Sequence, residues 1–217
     1  MNKYFNYTDV LGYGWRVMGR NIGFFIGLGF LYFGIVVVLS IPEMILQHMK
    51  NKEPSLIVAM VLVMILRCIV QTVLVIGIFK IALSFCDGVK PSIGKLFDGF
   101  DCFWRFIGTW FLYSLIVLGG VLLLIVPGVI WSIKFGKCWY FVIDKGMGPV
   151  EALKASSRIT SGVKWDLLGF SIMCMLINYL GILCLVIGIF ATYPMILVAG
   201  ALVYRQLAAQ TALLETV

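Results

Sequence analysis

The feature that most constrains this chain is the nearly unbroken apolar run from Trp165 to Val203, which covers 39 residues. As one helix it would be about 58 Å long, about twice the ~30 Å hydrocarbon core of a bilayer. The run must therefore fold back, and Gly181 and Gly188 indicate where it does so. We expect Pro194 to break or bend the returning span.

The earlier part of the chain contains four more apolar runs. With 62% hydrophobic and 12% charged residues, the chain is more apolar than soluble proteins, in which about a quarter of residues are charged. Between the third and the fourth run, the chain should reverse direction at Pro127 and Gly128. We therefore predict a single domain, residues 1–217, with six transmembrane helices. Its first four spans are Ile22–Ile41, Leu56–Phe85, Phe103–Val126 and Val129–Ile143.

A more polar segment precedes each pair of spans. The first segment has apolar residues at helical spacing: Leu11, Trp15 and Met18. The second begins at Pro91 or Ser92, and the third begins at Gly148 and Pro149 and ends at Gly162. The predicted fold is an all-α polytopic membrane protein of three hairpins, each preceded by an amphipathic interfacial helix whose apolar side faces lipid.

Residues that match at a constant shift indicate weak internal repeats. A shift of 61 residues places Trp104 on Trp165 and Gly120 on Gly181. The predicted units are 7–85, 90–143 and 149–209.

The distribution of positive charge predicts the orientation. Six spans put both ends on one side, where twelve of the Lys and Arg residues lie, whereas Lys50 and Lys52 lie opposite. The positive-inside rule then predicts cytoplasmic N- and C-termini. Because the net charge of +7 comes from residues that flank apolar runs, we do not expect nucleic acid as a partner.

Apart from Lys80, which lies near the end of its span and can reach the membrane surface, three cations fall inside the predicted spans without an acidic residue in those spans: Arg67, Lys134 and Lys137. An ionised side chain at membrane depth costs about 2.5–3.5 kcal/mol on insertion scales and usually faces the bundle interior or a cavity. The functional interpretation is an anionic lipid held by these residues together with Lys154 and Arg158. Its polar partners would be Gln71, Ser132, Tyr140 and Asn178.

The alternative interpretation is structural. The two lysines would extend toward the membrane surface, and Arg67 would bind backbone carbonyls or aspartates of the inner loops. Lys154 and Arg158 would then only anchor an interfacial helix.

The sequence contains no pattern that indicates catalysis. It lacks G-x-S-x-G, a Walker loop and H-E-x-x-H, and it has one histidine and no C-x-x-C pair among six cysteines. We predict no enzymatic activity, no cofactor and no metal site.

Three segments resemble a bacterial group of six-span proteins. They are L-L-L-I-V-P-G-V-I at 122–130, D-K-G-M-G-P-V-E-A-L-K-A-S at 144–156, and Y-P-M-I-L with Y-R-Q-L near the C-terminus. The chain resembles the membrane domain attached to some glycerophosphodiester phosphodiesterases, and its stand-alone relatives. The resemblance implies the fold and a place in the bacterial inner membrane. It supplies no catalytic residue, because the chain lacks the histidines and clustered acids of the phosphodiesterase domain.

Three functions therefore stay open. The chain could bind or organise anionic phospholipid at the cytoplasmic leaflet, or transport a small anionic or amphipathic solute. It could also be an assembly or immunity partner of another membrane protein, or form a homo-oligomer.

Overall fold

The computed structural model describes residues 4–48, 54–183 and 187–215, and within these ranges it contains helices and no strand. Lys50 and Lys52 lie outside the described residues. The helices are α1 (Tyr7–Arg20), α2 (Ile22–His48), α3 (Pro54–Cys86), α4 (Phe103–Leu123), α5 (Ile125–Phe135), α6 (Cys138–Lys145), α7 (Pro149–Thr160), α8 (Lys164–Leu183) and α9 (Ile187–Glu215).

Five segments are long and apolar enough to cross a membrane, so the chain has the build of a multi-pass membrane protein. They are Ile22–Leu46, Ser55–Cys86, Ile93–Leu123, Lys164–Leu183 and Phe190–Leu213. The predicted span Val129–Ile143 is not one helix. Its residues belong to α5 and α6, which are separated at Gly136 and Lys137. The backbone N–H of Lys137 donates to the Ser156 hydroxyl instead of continuing the helical ladder.

The reversal between α4 and α5 lies at Leu124, whose backbone is extended (φ −168°, ψ 152°). The prediction of a break at Pro127 and Gly128 was therefore wrong by three residues. Pro127 is in the first turn of α5, where its missing N–H has no intrahelical acceptor to lose. Gly120 and Gly128 allow α4 and α5 to approach closely, since a Cβ on Gly120 would lie 2.9 Å from the Gly128 Cα.

Pro194 does not end a helix, because α9 runs through it from Ile187 to Glu215. The predicted break at this residue is wrong. Packing of α9 against α1, α3 and α8 holds the helix together where proline removes one backbone hydrogen bond. Gly181 in the last turn of α8 and Gly188 in the first turn of α9 lie against each other, since a Cβ on Gly188 would clash with the Gly181 carbonyl oxygen.

Helices α1 and α7 are amphipathic, as predicted, but their apolar faces pack on the protein. In α1, Val10, Leu11 and Met18 are buried, and the helix crosses α9, so its apolar side does not face lipid. Trp15 is exposed. Helix α7 begins at Pro149, as predicted, and buries one side of its surface: Ala152, Leu153, Ser156, Ile159 and Thr160.

The second amphipathic helix is absent; two short 3₁₀ segments, Ile93–Phe97 and Phe100–Cys102, replace it. The backbone of Leu96 lies so close to α3 that a Cβ on Gly77 would be 2.2 Å from the Leu96 carbonyl oxygen. This contact, with glycines at 94 and 99, favours tight turns over a regular helix.

Helices α3, α6 and α9 meet in the core through aromatic rings. The Tyr140 ring stacks on Tyr204 at 5.1 Å and meets Phe79 edge-on at 5.2 Å. At the C-terminal ends of α3 and α6, the Arg205 guanidinium of α9 bridges the carboxylates of Asp87 at 2.8 Å and Asp144 at 2.7 Å. These contacts join the three helices.

Candidate functional site

A cavity of about 330 Å³ lies between α4, α5 and α8, beside the break between α5 and α6. Exposed Val129 and Ser171 belong to its lining, so the cavity opens on the outside of the bundle. The polar residues that line it are Tyr113, Ser132, Lys137 and Ser171.

Lys137 is the charged residue of this cavity. Its ammonium lies 5.6 Å from the centre of the Tyr140 ring and 5.9 Å from that of Phe170. Aromatic rings at this range attract a cation by about 0.5–2 kcal/mol, less than a carboxylate partner in the same place. Among the described residues, no carboxylate lies within 4.0 Å of the Lys137 ammonium. The site therefore holds a partly buried positive charge without a counter-ion from the described chain.

The hydroxyl groups of the cavity donate to backbone carbonyls. Tyr113 donates to the Ser132 carbonyl at 3.3 Å, and the Ser132 hydroxyl donates to Val129 at 2.8 Å. Ser171 donates to Leu167 at 2.8 Å. The N–H groups of the Lys137 ammonium are thus the donors left for an anion, and the hydroxyls make the surroundings polar.

Lys134 is near this site but is not part of the cavity lining. Its carbonyl oxygen accepts hydrogen bonds from the Ser156 and Thr160 hydroxyls, each at 3.0 Å. Its ammonium lies 5.2 Å from the centre of the Phe135 ring. Lys134 therefore fixes α7 against α5 through its backbone.

Arg67 does not belong to the site. Its guanidinium binds the Glu43 carboxylate on α2 in a short ion pair. The prediction that Arg67 is unpaired was wrong, because the predicted first span ended at Ile41 and left Glu43 outside it. Helix α2 instead continues through Pro42 to His48 and carries Glu43 to the side of α3.

The remaining predicted site residues are dispersed. Lys154, Arg158 and Gln71 are exposed, the first two on α7 and the third on α3. Asn178 accepts a hydrogen bond from Thr192 at 3.0 Å, which joins α8 to α9. Of the predicted polar partners, Ser132 shares the cavity with Lys137, and Tyr140 supplies a ring beside its ammonium.

Sequence reasoning missed Tyr113 and Ser171, which line the cavity. Their relation to Lys137 depends on how α4 and α8 pack against α5, and no local motif encodes that packing.

A second cavity of about 410 Å³ lies between α2, α3 and α9, and its walls are almost entirely apolar. Tyr32 and Tyr193 are among the lining residues. None of the described residues that line this cavity is charged, so its chemistry does not indicate a particular ligand.

Comparison with protein-family models, curated proteins and solved structures gave no match for this chain. The resemblance drawn from the segments at 122–130 and 144–156 stays a prediction.

Proposed function

We propose that this chain is a non-enzymatic membrane protein that binds an anionic phospholipid, with the lipid phosphate against the Lys137 ammonium. The observation that carries the proposal is the cavity in which Lys137 has no carboxylate partner among the described residues. Burying an uncompensated ammonium is costly, and a phosphate oxygen would supply a charge-assisted hydrogen bond of about 1.5–3 kcal/mol.

The shape and place of the cavity support a lipid as the ligand. Its volume of about 330 Å³ can hold a headgroup but is small for a whole phospholipid. The opening beside Val129 and Ser171 leaves the acyl chains outside, along the apolar surfaces of α5 and α8. A ligand with one charged end and long apolar chains matches this arrangement.

The proposed topology has six crossings, with α5 and α6 together as the fourth. Five crossings alone would leave the chain ends on opposite faces of the membrane. The Tyr4 N–H and carbonyl instead bond the Gln210 side chain at 3.1 and 2.9 Å, which favours an even number. With six crossings, most Lys and Arg residues lie on the same side of the membrane as the two chain ends. We therefore propose cytoplasmic termini in a bacterial inner membrane.

A transporter for a small anionic or amphipathic solute is the second candidate. The interruption between α5 and α6 places Lys137 at a helix break, an arrangement that transporters use at substrate sites. Uptake of an anionic solute into proteoliposomes, lost with Lys137→Met, would favour this candidate over lipid binding.

The test of the proposed function is lipid retention by the purified full chain. We expect native mass spectrometry with phosphatidylglycerol to show bound lipid, and phosphatidylcholine to bind more weakly. Lys137→Met should lower the apparent affinity by about tenfold or more, the loss of one charge-assisted hydrogen bond.

Lys145→Met is the matched control. Lys145 is exposed at the end of α6, and its ammonium also lies near an aromatic ring, 5.6 Å from that of Phe141. The control should retain phosphatidylglycerol like the unchanged protein. No retained phosphatidylglycerol, or equal retention by both variants, would defeat the proposed function.

A further inference from the structure

Lys80 on α3 and Lys137 just before α6 occupy matching places. Each stands two helical turns before an aspartate, Asp87 or Asp144, and both of those carboxylates bind the Arg205 guanidinium. The two stretches are also neighbours in space, because Phe79, next to Lys80, is in ring contact with Tyr140, which lies three residues after Lys137. The two lysines can therefore be compared by the negative charge that the chain places beside each of them.

Lys80 receives its negative charge from the chain itself. Its ammonium lies 3.0 Å from the Asp101 carboxylate and 4.0 Å from that of Asp98. Both aspartates belong to the segment that follows α3 and packs back on it at Gly77. The charge of Lys80 is thus compensated without any ligand.

The segment that follows α6 is helix α7, which also packs back on the preceding helix but brings no acid to Lys137. Counted from the prolines that begin the two segments, Pro91 and Pro149, Ser156 stands at the place of Asp98. The Ser156 hydroxyl accepts from the Lys137 backbone N–H at 3.1 Å and donates to the Lys134 carbonyl at 3.0 Å. It is neutral, and its one proton is already in use.

We infer that the phosphate oxyanion of the ligand occupies at Lys137 the role that aspartate carboxylates have at Lys80. This inference deepens the proposed function and rests on it. The difference between a charge-balanced lysine and a ligand-binding lysine is then the presence or absence of a carboxylate from the following segment. A carboxylate built into the chain beside Lys137 should therefore displace the ligand.

The experiment supplies that carboxylate in two positions of the full-length protein. Ser156→Asp supplies a counterpart of Asp98, and Ser171→Asp places the charge at the exposed rim of the cavity, where a substitution disturbs the core less. Ser156→Asn and Ser171→Asn are matched in size and carry no charge. Retention of phosphatidylglycerol is measured by native mass spectrometry, and thermal unfolding reports whether each variant is folded.

We expect each aspartate variant to bind phosphatidylglycerol at least about tenfold more weakly than the asparagine variant of the same residue. If Ser156→Asp does not fold, Ser171→Asp and its control decide the question. Folded aspartate variants that bind like the unchanged protein, while Lys137→Met loses lipid, would overturn this inference and leave the proposed function standing. Equal losses in the aspartate and asparagine pairs would also overturn it, because charge would not be the cause.

Discussion

Replacing Arg205 by Met should loosen the contact of α9 with the ends of α3 and α6, because its guanidinium is the bridge between the Asp87 and Asp144 carboxylates. The Asp144 side chain is 15% exposed and the Asp87 side chain 46% exposed. Loss of the exposed ion pair with Asp87 should lower the free energy of unfolding by about 0.5–1 kcal/mol. Loss of the more buried ion pair with Asp144 should lower it by about 2 kcal/mol. This is less than the roughly 3–5 kcal/mol for a fully buried pair, because the Tyr204 hydroxyl still donates to Asp144 at 2.8 Å.

The sum, about 2.5–3 kcal/mol, corresponds to a fall in Tm of about 5–12 °C for a chain of this size. The assay is thermal unfolding of the purified protein in detergent, followed by circular dichroism. Asp87→Asn is the internal comparison and should cost less than half as much. A Tm for Arg205→Met within about 1 °C of the unchanged protein would refute the reasoning, as would a larger loss from Asp87→Asn.

Two further predictions concern helix contacts. Gly77→Ala should destabilise the protein by about 1–3 kcal/mol, since the added Cβ meets the Leu96 backbone, whereas Gly119→Ala, with nothing within 4 Å, should be tolerated in thermal unfolding. Arg67→Gln should cost about 1–2 kcal/mol because it leaves the Glu43 carboxylate unpaired, and adding Glu43→Gln should restore most of the Tm. Additive losses in that double variant would show that the ion pair contributes nothing.

Much of the fold follows from local sequence rules. The length of the apolar runs predicts the five long helices, and Gly148 with Pro149 predicts the start of α7. Gly162, where the third amphipathic segment was predicted to end, has a left-handed backbone (φ +89°), which glycine adopts readily. These features depend on neighbouring residues, so a sequence pattern is enough to indicate them.

Other features depend on packing between distant segments. The contact between Gly77 and Leu96 fixes the 3₁₀ turns that replaced a predicted helix. The continuation of α2 through Pro42 brings Glu43 to Arg67, whereas a proline beside polar residues predicts a turn. In both cases a tertiary contact overrides the local preference.

For the candidate site, the sequence identified Lys137 and Ser132 but could not identify the cavity. A lysine in an apolar run attracts attention because its burial is costly. Whether it acquires a counter-ion depends on the segment packed against it, as the contrast with Lys80 shows. Tyr113 and Ser171 enter the site only through the packing of α4 and α8.

The packing of α1 on α9 has a consequence for biosynthesis. Among the described helices, α1 leaves the ribosome first and its partner last, so Val10, Leu11 and Met18 have no burial site until α9 is made. Until then α1 must rest on the membrane surface or on a chaperone. A nascent chain that stops before α9 would leave this apolar face exposed. Quality-control proteases that recognise exposed apolar segments would then act on the incomplete chain.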